Sequence, residues 1–316
     1  MSLRLSTAPH IRSPKTTTRL MLSVLLALLP SAAAGVWYFG TRALMLLCVS
    51  TASAVVAEYL WQKLGRLPVR VGDLSAAVTG LILGLILPPT ATWWMAVVGS
   101  VFAIIIVKQL FGGIGMNFAN PALVGRIVLF ISFAGSMNKW VFPDAAVDQL
   151  SKATPLAVAD PSKLSLLDLF MGIHGGVLGE TCALAIVLGL VYLVATKTIS
   201  IAIPASYVGS VFVFYLIATR DLHAALAVVL SGGLLFGAVF MATDYVTSPF
   251  TTKGKLFYGV FIGLVTFLIR NFASMNEGMS FAILLGNLMT PWFNAWGHQT
   301  PLGYKKPKKA KKGGAE

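Results

Sequence analysis

The chain has 316 residues, of which 57% are hydrophobic and only 11% are charged. So few charges cannot solvate an ordinary globular surface, which excludes a soluble enzyme of average composition and points to a lipid bilayer. The net charge of +13 comes largely from basic loops and a basic tail beside apolar segments. This distribution is typical of contact with anionic lipid rather than with nucleic acid.

Apolar runs long enough to cross about 30 Å of hydrocarbon, roughly 17 to 25 residues each, recur along nearly the whole chain. They predict an all-α integral membrane protein with about ten transmembrane helices. The first run is too long for a cleavable signal peptide and lacks a small-residue cleavage site. The predicted spans are residues 20–39, 42–62, 74–91, 94–111, 122–137, 180–196, 199–218, 223–243, 255–271 and 279–296.

The distribution of Lys and Arg predicts the topology, because cytoplasmic loops carry an excess of both residues. Placing the N-terminus in the cytoplasm puts most of them on the inner side, including the lysines of the tail. The predicted organisation is a cytoplasmic segment, a first membrane repeat, an extracytoplasmic loop, a second membrane repeat and a basic cytoplasmic tail. Their bounds are 1–19, 20–137, 138–179, 180–296 and 297–316.

Short segments recur in the two halves of the chain, which predicts two repeats of five helices each. An odd number of helices per repeat forces the second copy to insert upside down relative to the first. The alternative is chance similarity among glycine-rich membrane helices, in which small residues allow close packing. The matched pairs are Gly80–Gly84 with Gly233–Gly237, Lys108-Gln109 with Arg270-Asn271, and Gly115–Ala119 with Gly278–Ala282.

The predicted extracytoplasmic loop contains the pattern Asp148-x-x-Ser151-x-Ala153-Thr154, followed by Pro155. Small polar residues before a proline also form many ordinary turns. The pattern alone therefore leaves two interpretations open, a turn without chemistry and a site at which the Thr154 hydroxyl is modified.

Two predicted cytoplasmic turns, residues 112–121 and 243–249, combine glycine and proline with amide, carboxylate and hydroxyl groups. Such groups can bond the edge of a heterocycle. Helix capping accounts equally well for the same residue types. The residues concerned are Asn117, Asn120, Asp244, Thr247 and Ser248.

The remaining ionisable and sulfur-containing residues favour structural roles. Glu58 and Glu180 lie near predicted helix ends, where snorkelling or capping is the expected role. Cys48 and Cys182 are expected to be buried small hydrophobes. His10, His174, His223 and His298 lack a metal-ligand spacing, so no metal site is predicted.

Taken together, these motifs resemble the D subunit of the Rnf complex, the membrane-bound ferredoxin:NAD oxidoreductase, and the related B subunit of the sodium-pumping NADH:quinone oxidoreductase. The resemblance extends over essentially the whole chain. It is carried by Ser13-Pro14, Thr18-Arg19, Pro88-Pro89, residues 108–115, Asn117, Asn120-Pro121-Ala122, residues 151–156, Thr243-Asp244 and Thr247-Ser248.

The resemblance implies FMN attached by a phosphoester to Thr154 on the extracytoplasmic side, with Asp148 and Ser151 recognised by a flavin transferase during maturation. It also makes a second, non-covalent flavin, riboflavin or FMN, plausible at the cytoplasmic turns. Lys152 departs from the glycine common in such attachment sequences. Its charge leaves the hydroxyl intact and could attract the FMN phosphate.

The resemblance further implies an electron-relaying flavoprotein subunit of an ion-translocating complex in the bacterial inner membrane, with the other Rnf subunits as partners. A short leader before the first helix favours the D subunit of the Rnf complex over the B subunit of the quinone reductase. A secondary transporter without flavin is the alternative from another class, because it would explain the repeats and the apolar composition. Na⁺ and H⁺ coupling are not distinguished by the sequence.

Overall fold

A computed structural model describes residues 16–139, 165–172, 174–273 and 278–297. Every regular element within these ranges is helical, which confirms the predicted all-α class. Two helices continue as π-helical turns, Ala103–Gln109 after α3 and Gly237–Met241 after α10, and a 3-10 turn covers Val71–Asp73. The α-helices are α1 Thr17–Leu64, α2 Ser75–Leu85, α3 Trp93–Phe102, α4 Pro121–Ser132, α5 Ala134–Met137, α6 Leu166–Met171, α7 Ala183–Ala195, α8 Ala202–Thr219, α9 Leu222–Leu230, α10 Leu234–Phe236, α11 Thr252–Phe272 and α12 Met279–Trp296.

The long helix α1 combines the first two predicted spans. It begins at Thr16, whose hydroxyl accepts a hydrogen bond from the Arg19 amide at 3.3 Å, as an N-cap residue does. Its geometry is interrupted at Gly40, where φ is 70° and ψ is −156°. A side chain would make this conformation strained, so glycine permits the bend. The bend divides α1 into two arms, residues 17–39 and 41–64.

Each of the ten predicted spans contains a helix. Among the described residues, α1, α8 and α11 are long and apolar enough to cross a membrane by themselves, and α9 with α10 forms a further span bent by 65°. Shorter apolar helices, among them α2, α4 and α7, occupy other predicted spans. The total of ten crossings therefore stays a prediction.

Helix α2 ends inside the bundle, where its last carbonyl groups need donors. The segment before α7 supplies them: the Gly179 amide donates to the Leu85 carbonyl at 2.8 Å, and the Leu178 amide donates to the Leu87 carbonyl at 3.4 Å. Non-helical backbone at membrane depth is tolerated only where protein groups satisfy its polar atoms in this way. The segment before α7 is accordingly buried rather than part of an open loop.

In the first half, the pair Lys108-Gln109 lies at the end of the π-helical turn that follows α3. It connects this turn to α2 and to the second arm of α1. The Lys108 ammonium donates to the Ser75 hydroxyl at 2.6 Å, at the start of α2. The Gln109 amide donates to Glu58 Oε1 at 2.7 Å, on the second arm of α1.

The matching pair in the second half makes equivalent connections. Arg270 of α11 donates to the carbonyls of Val228 and Ser231 at 3.1 and 3.4 Å, where α9 ends. Asn271 donates to the Tyr215 hydroxyl of α8 at 3.0 Å. When the two arms of α1 are counted separately, each pair lies on the fourth helix of its half and contacts the second and third helices. This correspondence supports the predicted repeat.

The turns between helices gather at two ends of the bundle, joined within each end by hydrogen bonds. At one end, Tyr245 donates to the Thr198 carbonyl at 2.6 Å. At the other, Tyr38 donates to the Met171 carbonyl at 2.7 Å and Thr90 to the Lys139 carbonyl at 2.9 Å. We call the first the cavity end, formed by residues 64–75, 109–121, 196–199 and 243–252, and the second the far end, formed by residues 86–92, 133–139, 165–172, 174–182, 219–222 and 269–273.

The two copies of the five-residue motif lie at opposite ends. Gly115–Ala119 precedes α4 at the cavity end, whereas Gly278 packs on Ile269 at the far end, where α12 begins. Helix α12 then returns to the cavity end, where Asn294 accepts from the Phe250 amide at 2.9 Å. This is the arrangement expected of inverted repeats.

The described basic residues follow the same division. Those predicted to be cytoplasmic lie at the cavity end, and those predicted to be extracytoplasmic lie at the far end. The first group comprises Arg19, Lys63, Arg66, Arg70, Lys108, Lys197, Lys253 and Lys255, and the second comprises Arg42, Lys139, Arg220 and Arg270, while Arg126 lies within α4.

The expectation that both cysteines are buried is wrong for Cys48, which is exposed on α1, while Cys182 is half-buried. The outward face of a membrane helix is itself apolar because lipid covers it. Apolar neighbours in the sequence therefore do not distinguish a core position from a lipid-facing one.

Candidate functional site

A cavity with about 770 Å³ of empty space, including its mouth, lies at the cavity end and is walled by both halves of the chain. We call it the central cavity. Its apolar walls come mainly from α1, α2 and the broken span, and polar groups enter from the turns. The polar lining residues are Ser75, Thr79, Lys108, Asn117, Asn120, Thr243, Asp244 and Tyr245, and the apolar ones include Met21, Val24, Val78, Ile82, Ile114 and Phe240.

Asn120 has two roles at this site. Its side-chain oxygen accepts from the amides of Ala122 and Leu123 at 3.1 and 3.4 Å, which caps α4, and Pro121 occupies the first turn of that helix. Its amide nitrogen donates to the Met241 carbonyl at 3.4 Å, where the broken span of the second half ends. The residue therefore caps one repeat and connects it to the other.

Asn117 and Asp244 meet across the boundary between the repeats. The Asn117 amide donates to the Ala119 carbonyl at 3.0 Å and is also hydrogen bonded to the Asp244 carboxylate. Burial raises the pKa of Asp244 above its ordinary value, and the hydrogen bonds that its carboxylate accepts, from Thr247 first among them, partly oppose this effect. The sequence predicted both residues as site residues, and the structure brings them together.

Thr247 and Ser248 lie behind Asp244 and are not part of the cavity lining. The Thr247 hydroxyl donates to Asp244 Oδ2 at 3.1 Å, and the Ser248 amide donates to the Asp244 carbonyl at 3.1 Å. The Thr290 hydroxyl in turn donates to the Thr247 carbonyl at 2.6 Å. In this arrangement both residues hold the turn that presents Asp244, rather than facing the cavity themselves.

Tyr245 follows Asp244 and connects the same turn to the turn between α7 and α8 through its hydrogen bond to the Thr198 carbonyl. Burial, assisted by the nearby Asp244 charge, raises the pKa of Tyr245 to about 12. The phenol therefore remains a neutral hydrogen-bond donor at physiological pH.

The polar lining also includes residues that sequence reasoning did not assign to a site, namely Lys108, Ser75 and Thr79. Lys108 had two signals, its membership of a repeated basic-amide pair and its position in the motif of residues 108–115. The first was interpreted as evidence for the repeat and the second as part of the family resemblance, and neither as evidence for a site. Nothing in the linear sequence shows that α2 and the π-helical turn share a cavity wall.

Glu58 is buried, with 1% of its surface exposed, so the expectation that it snorkels or caps a helix is wrong. Its Oε2 lies 2.8 Å from Lys108 Nζ, and its Oε1 accepts from Lys108, Gln109 and Gln62 at 3.0, 2.7 and 3.2 Å. A buried charge requires such partners. Lys108 is 50 residues away in the chain, which is why sequence spacing gives no sign of the pair.

The same expectation is wrong for Glu180, which is 3% exposed and ion-paired with Arg126 at 2.8 Å. Arg126 lies half-way along α4, and Glu180 belongs to the buried segment before α7. The pair connects the helix that starts at the central cavity to a segment that enters from the far end. Here too the partners are distant in sequence, 54 residues apart.

Thr154, with Asp148, Ser151, Lys152 and Ala153, lies outside the described residues. The described residues on either side, Lys139 and α6, both lie at the far end, where they contact Thr90 and Tyr38. Among the residues that the structure describes, no group of three or more His, Cys, Asp or Glu side chains could hold a metal ion.

Comparison with known proteins identifies the family. Residues 4–303 match the family described as NQR2, RnfD, RnfE. The D subunit of the Na⁺-translocating ferredoxin:NAD⁺ oxidoreductase complex of Acetobacterium woodii is 42% identical over 318 residues, covering 99% of each chain. The D subunits of the ion-translocating oxidoreductase complexes of Erwinia tasmaniensis and Escherichia coli are each 34% identical, covering 98% and 97% of this chain and all of theirs. The chain therefore belongs to the NQR2, RnfD, RnfE family.

Proposed function

We propose that this chain is the D subunit of a membrane-bound, ion-translocating ferredoxin:NAD oxidoreductase complex. The observation that carries the proposal is the end-to-end match to proteins of that name, with 42% identity and 99% coverage of both chains for one of them. The alternatives have less support. These relatives are named as D subunits of oxidoreductase complexes rather than as the B subunit of a quinone reductase, and none of them is named a transporter.

Within such a complex, the chain holds flavin and passes electrons between partner subunits. A flavin supplies one- and two-electron chemistry that protein side chains lack. Among the described residues there is no iron-sulfur ligand cluster. Electrons must then enter and leave through the other subunits of the complex, and the chain alone catalyses no complete reaction.

The residues of the central cavity fit a non-covalent flavin, riboflavin or FMN. Apolar side chains such as Ile82, Ile114 and Phe240 suit the faces of a flat aromatic ring system. Around them, Asn117 and Asp244 offer the donors and acceptors that the polar edge of an isoalloxazine requires. These residues would hold and orient the ring and exclude water from it.

FMN is the second cofactor in this proposal, attached through its phosphate to Thr154. Formation of the phosphoester by a flavin transferase uses the threonine hydroxyl, and the neighbouring Lys152 ammonium attracts the phosphate. Asp148, Ser151 and Ala153 complete the sequence that the transferase recognises. Since both flanks of this segment lie at the far end, the proposal separates the two flavins by the thickness of the bundle.

The proposed location is the inner membrane of a bacterial cell, with the N- and C-termini in the cytoplasm. The basic residues support this orientation, because the cavity end has the larger share of described Lys and Arg. The cavity end is then cytoplasmic, and the far end, with the flanks of the Thr154 segment, is extracytoplasmic.

The covalent flavin is tested by replacing Thr154 with alanine in protein produced together with a flavin transferase. Only a hydroxyl at position 154 can form the phosphoester, so we expect complete loss of in-gel flavin fluorescence. In wild-type protein, the tryptic peptide that begins at Ala153 should gain the mass of FMN less one water. Thr90→Ala is the matched control, since Thr90 also lies at the far end but outside the motif, and it should remain fluorescent. A dark wild-type band, or a fluorescent Thr154→Ala band, would overturn the assignment.

A further inference from the structure

A second cleft lies beside the central cavity and shares one wall with it. It has about 630 Å³ of empty space and is lined by Glu58, Asp73, Gln109 and Ile114, and by exposed loop residues such as Arg70. We call it the loop cleft. Ile114 lines both spaces, while Lys108 and Ser75 line only the central cavity. The wall between them is therefore formed by a few side chains at the start of α2 and the end of the π-helical turn.

A continuous line of hydrogen bonds crosses this wall. The Lys108 ammonium donates to Ser75 Oγ at 2.6 Å, and the Ser75 hydroxyl donates to Asp73 Oδ1 at 2.5 Å. Asp73 is half-buried and faces the loop cleft, whereas Lys108 is 3% exposed and faces the central cavity. Each link is short enough for proton transfer between heavy atoms that remain in place.

We propose that Asp73, Ser75 and Lys108 form a proton path between the loop cleft and the central cavity. The proposal rests on the proposed function, in which the cavity holds a flavin that gains and loses protons as its redox state changes. It adds a role for three residues that neither the sequence motifs nor the match to relatives assigns.

The donor directions of these hydrogen bonds correspond to a proton leaving the cavity. Lys108 gives a proton to Ser75 Oγ as Ser75 gives its own proton to Asp73, which leaves a neutral amine, an unchanged hydroxyl and a neutral carboxyl. The amine then takes a proton from a group in the cavity, and Asp73 loses its proton to water in the loop cleft. The net change is the transfer of one proton from the cavity to water, without oxidation or reduction. Reversing each step delivers a proton.

Glu58 favours the charged form of Lys108 by Coulomb attraction, so the neutral amine is only a transient state of this transfer. Its carboxylate also accepts from the amides of Gln62 and Gln109, so it retains two donors when the lysine has lost its proton. The other titratable and charged groups facing the path are Arg70 on the loop-cleft side and Asp244 and Tyr245 across the central cavity.

The path is tested by the rate of proton exchange with the reduced cavity flavin in the full-length chain. A Thr154→Ala background removes the covalent FMN from the signal. Flavin held fully reduced is mixed rapidly with buffer of a different pH, and the absorbance change that accompanies its protonation is followed. Because Ser75→Ala interrupts the path without changing a charge, we expect the exchange to slow by at least about tenfold while the equilibrium absorbance at each pH is kept.

Two further variants complete the experiment. Asp73→Asn should slow the exchange equally, because it keeps the side-chain oxygen that accepts from the Ser75 amide at 2.8 Å but cannot carry a proton. If Ser75→Ala does not fold, Asp73→Asn alone tests the proton path. Ser100→Ala is the control, since Ser100 is also a buried serine and donates to the Ser50 carbonyl at 3.0 Å, but it lines neither the central cavity nor the loop cleft. Exchange as fast in Ser75→Ala and Asp73→Asn as in Ser100→Ala would overturn the path alone. Absence of flavin from the wild-type cavity would overturn the proposed cavity flavin and the path with it.

Discussion

The two basic residues at matching positions of the repeats, Lys108 and Arg270, are used differently. Lys108 neutralises a buried carboxylate and faces the central cavity. Arg270 donates to backbone carbonyls at the break in the second repeat, and its Nε has no partner among the described residues. Lys108 connects the π-helical turn after α3 to α2, and Arg270 connects α11 to the end of α9. This difference indicates that the repeated fold places a basic residue at the same position in each half. In the first half, the buried carboxylate of Glu58 pairs with that residue beside the central cavity.

The largest effect expected from this difference is on stability. Lys108→Met leaves Glu58 buried without its cation, which should cost about 3 to 5 kcal/mol of unfolding free energy. Arg270→Met removes donors from two carbonyls and should cost less, about 1 to 3 kcal/mol. Thermal unfolding of detergent-solubilised protein measures both. The double variant Glu58→Gln with Lys108→Met should recover most of the loss, and a double variant as unstable as Lys108→Met would show that the pair is not the cause.

A smaller effect concerns the carboxylate on the opposite wall of the cavity. Because burial raises the pKa of Asp244, the folded state favours its neutral form. This contribution to stability is fully present below the ordinary value of 3.8 and is lost as the pH rises through the raised value. Asp244→Asn should remove that pH dependence and leave the rest of the profile. Unfolding measured between acidic and neutral pH tests this, and an unchanged slope in the variant would assign the dependence to another group.

The sequence predicted the helical class, the matching segments of the two halves and the position of every described helix except α6, which lies within the predicted loop of residues 138–179. Apolar length and short repeats are properties of the linear chain, whereas α6 is too short to give such a signal. Glycine- and proline-rich turns in the sequence also singled out Asn117, Asn120 and Asp244, which line the central cavity. The sequence did not single out Ser75 and Lys108, which line the same cavity, and it misjudged Glu58 and Glu180. Each of these depends on partners from other helices, and the separations of 50 and 54 residues within the two ion pairs are set by packing that no local pattern encodes.

The two ends also differ in the chemistry proposed for them. The far end holds the flanks of the segment in which Thr154 would bind flavin covalently, and the cavity end would hold flavin by contacts alone. Substitution of Asn120 best distinguishes the two proposed sites, because Asn120 links the repeats at the central cavity and is remote from the described flanks of the Thr154 segment. Asn120→Leu removes both its cap and its bond to Met241, while Asn120→Asp keeps the cap and loses only that bond.

The most direct test of a cavity flavin is therefore the flavin content of the purified chain after denaturation, with released and protein-bound flavin measured separately. We predict about one equivalent of each in wild-type protein, released flavin reduced about tenfold in Asn120→Leu, consistent with a loss of about 1.4 kcal/mol, and an intermediate value in Asn120→Asp. Protein-bound flavin should be the same in all three. Wild-type protein that releases no flavin, or Asn120→Leu that releases as much as wild type, would contradict a flavin held in the central cavity.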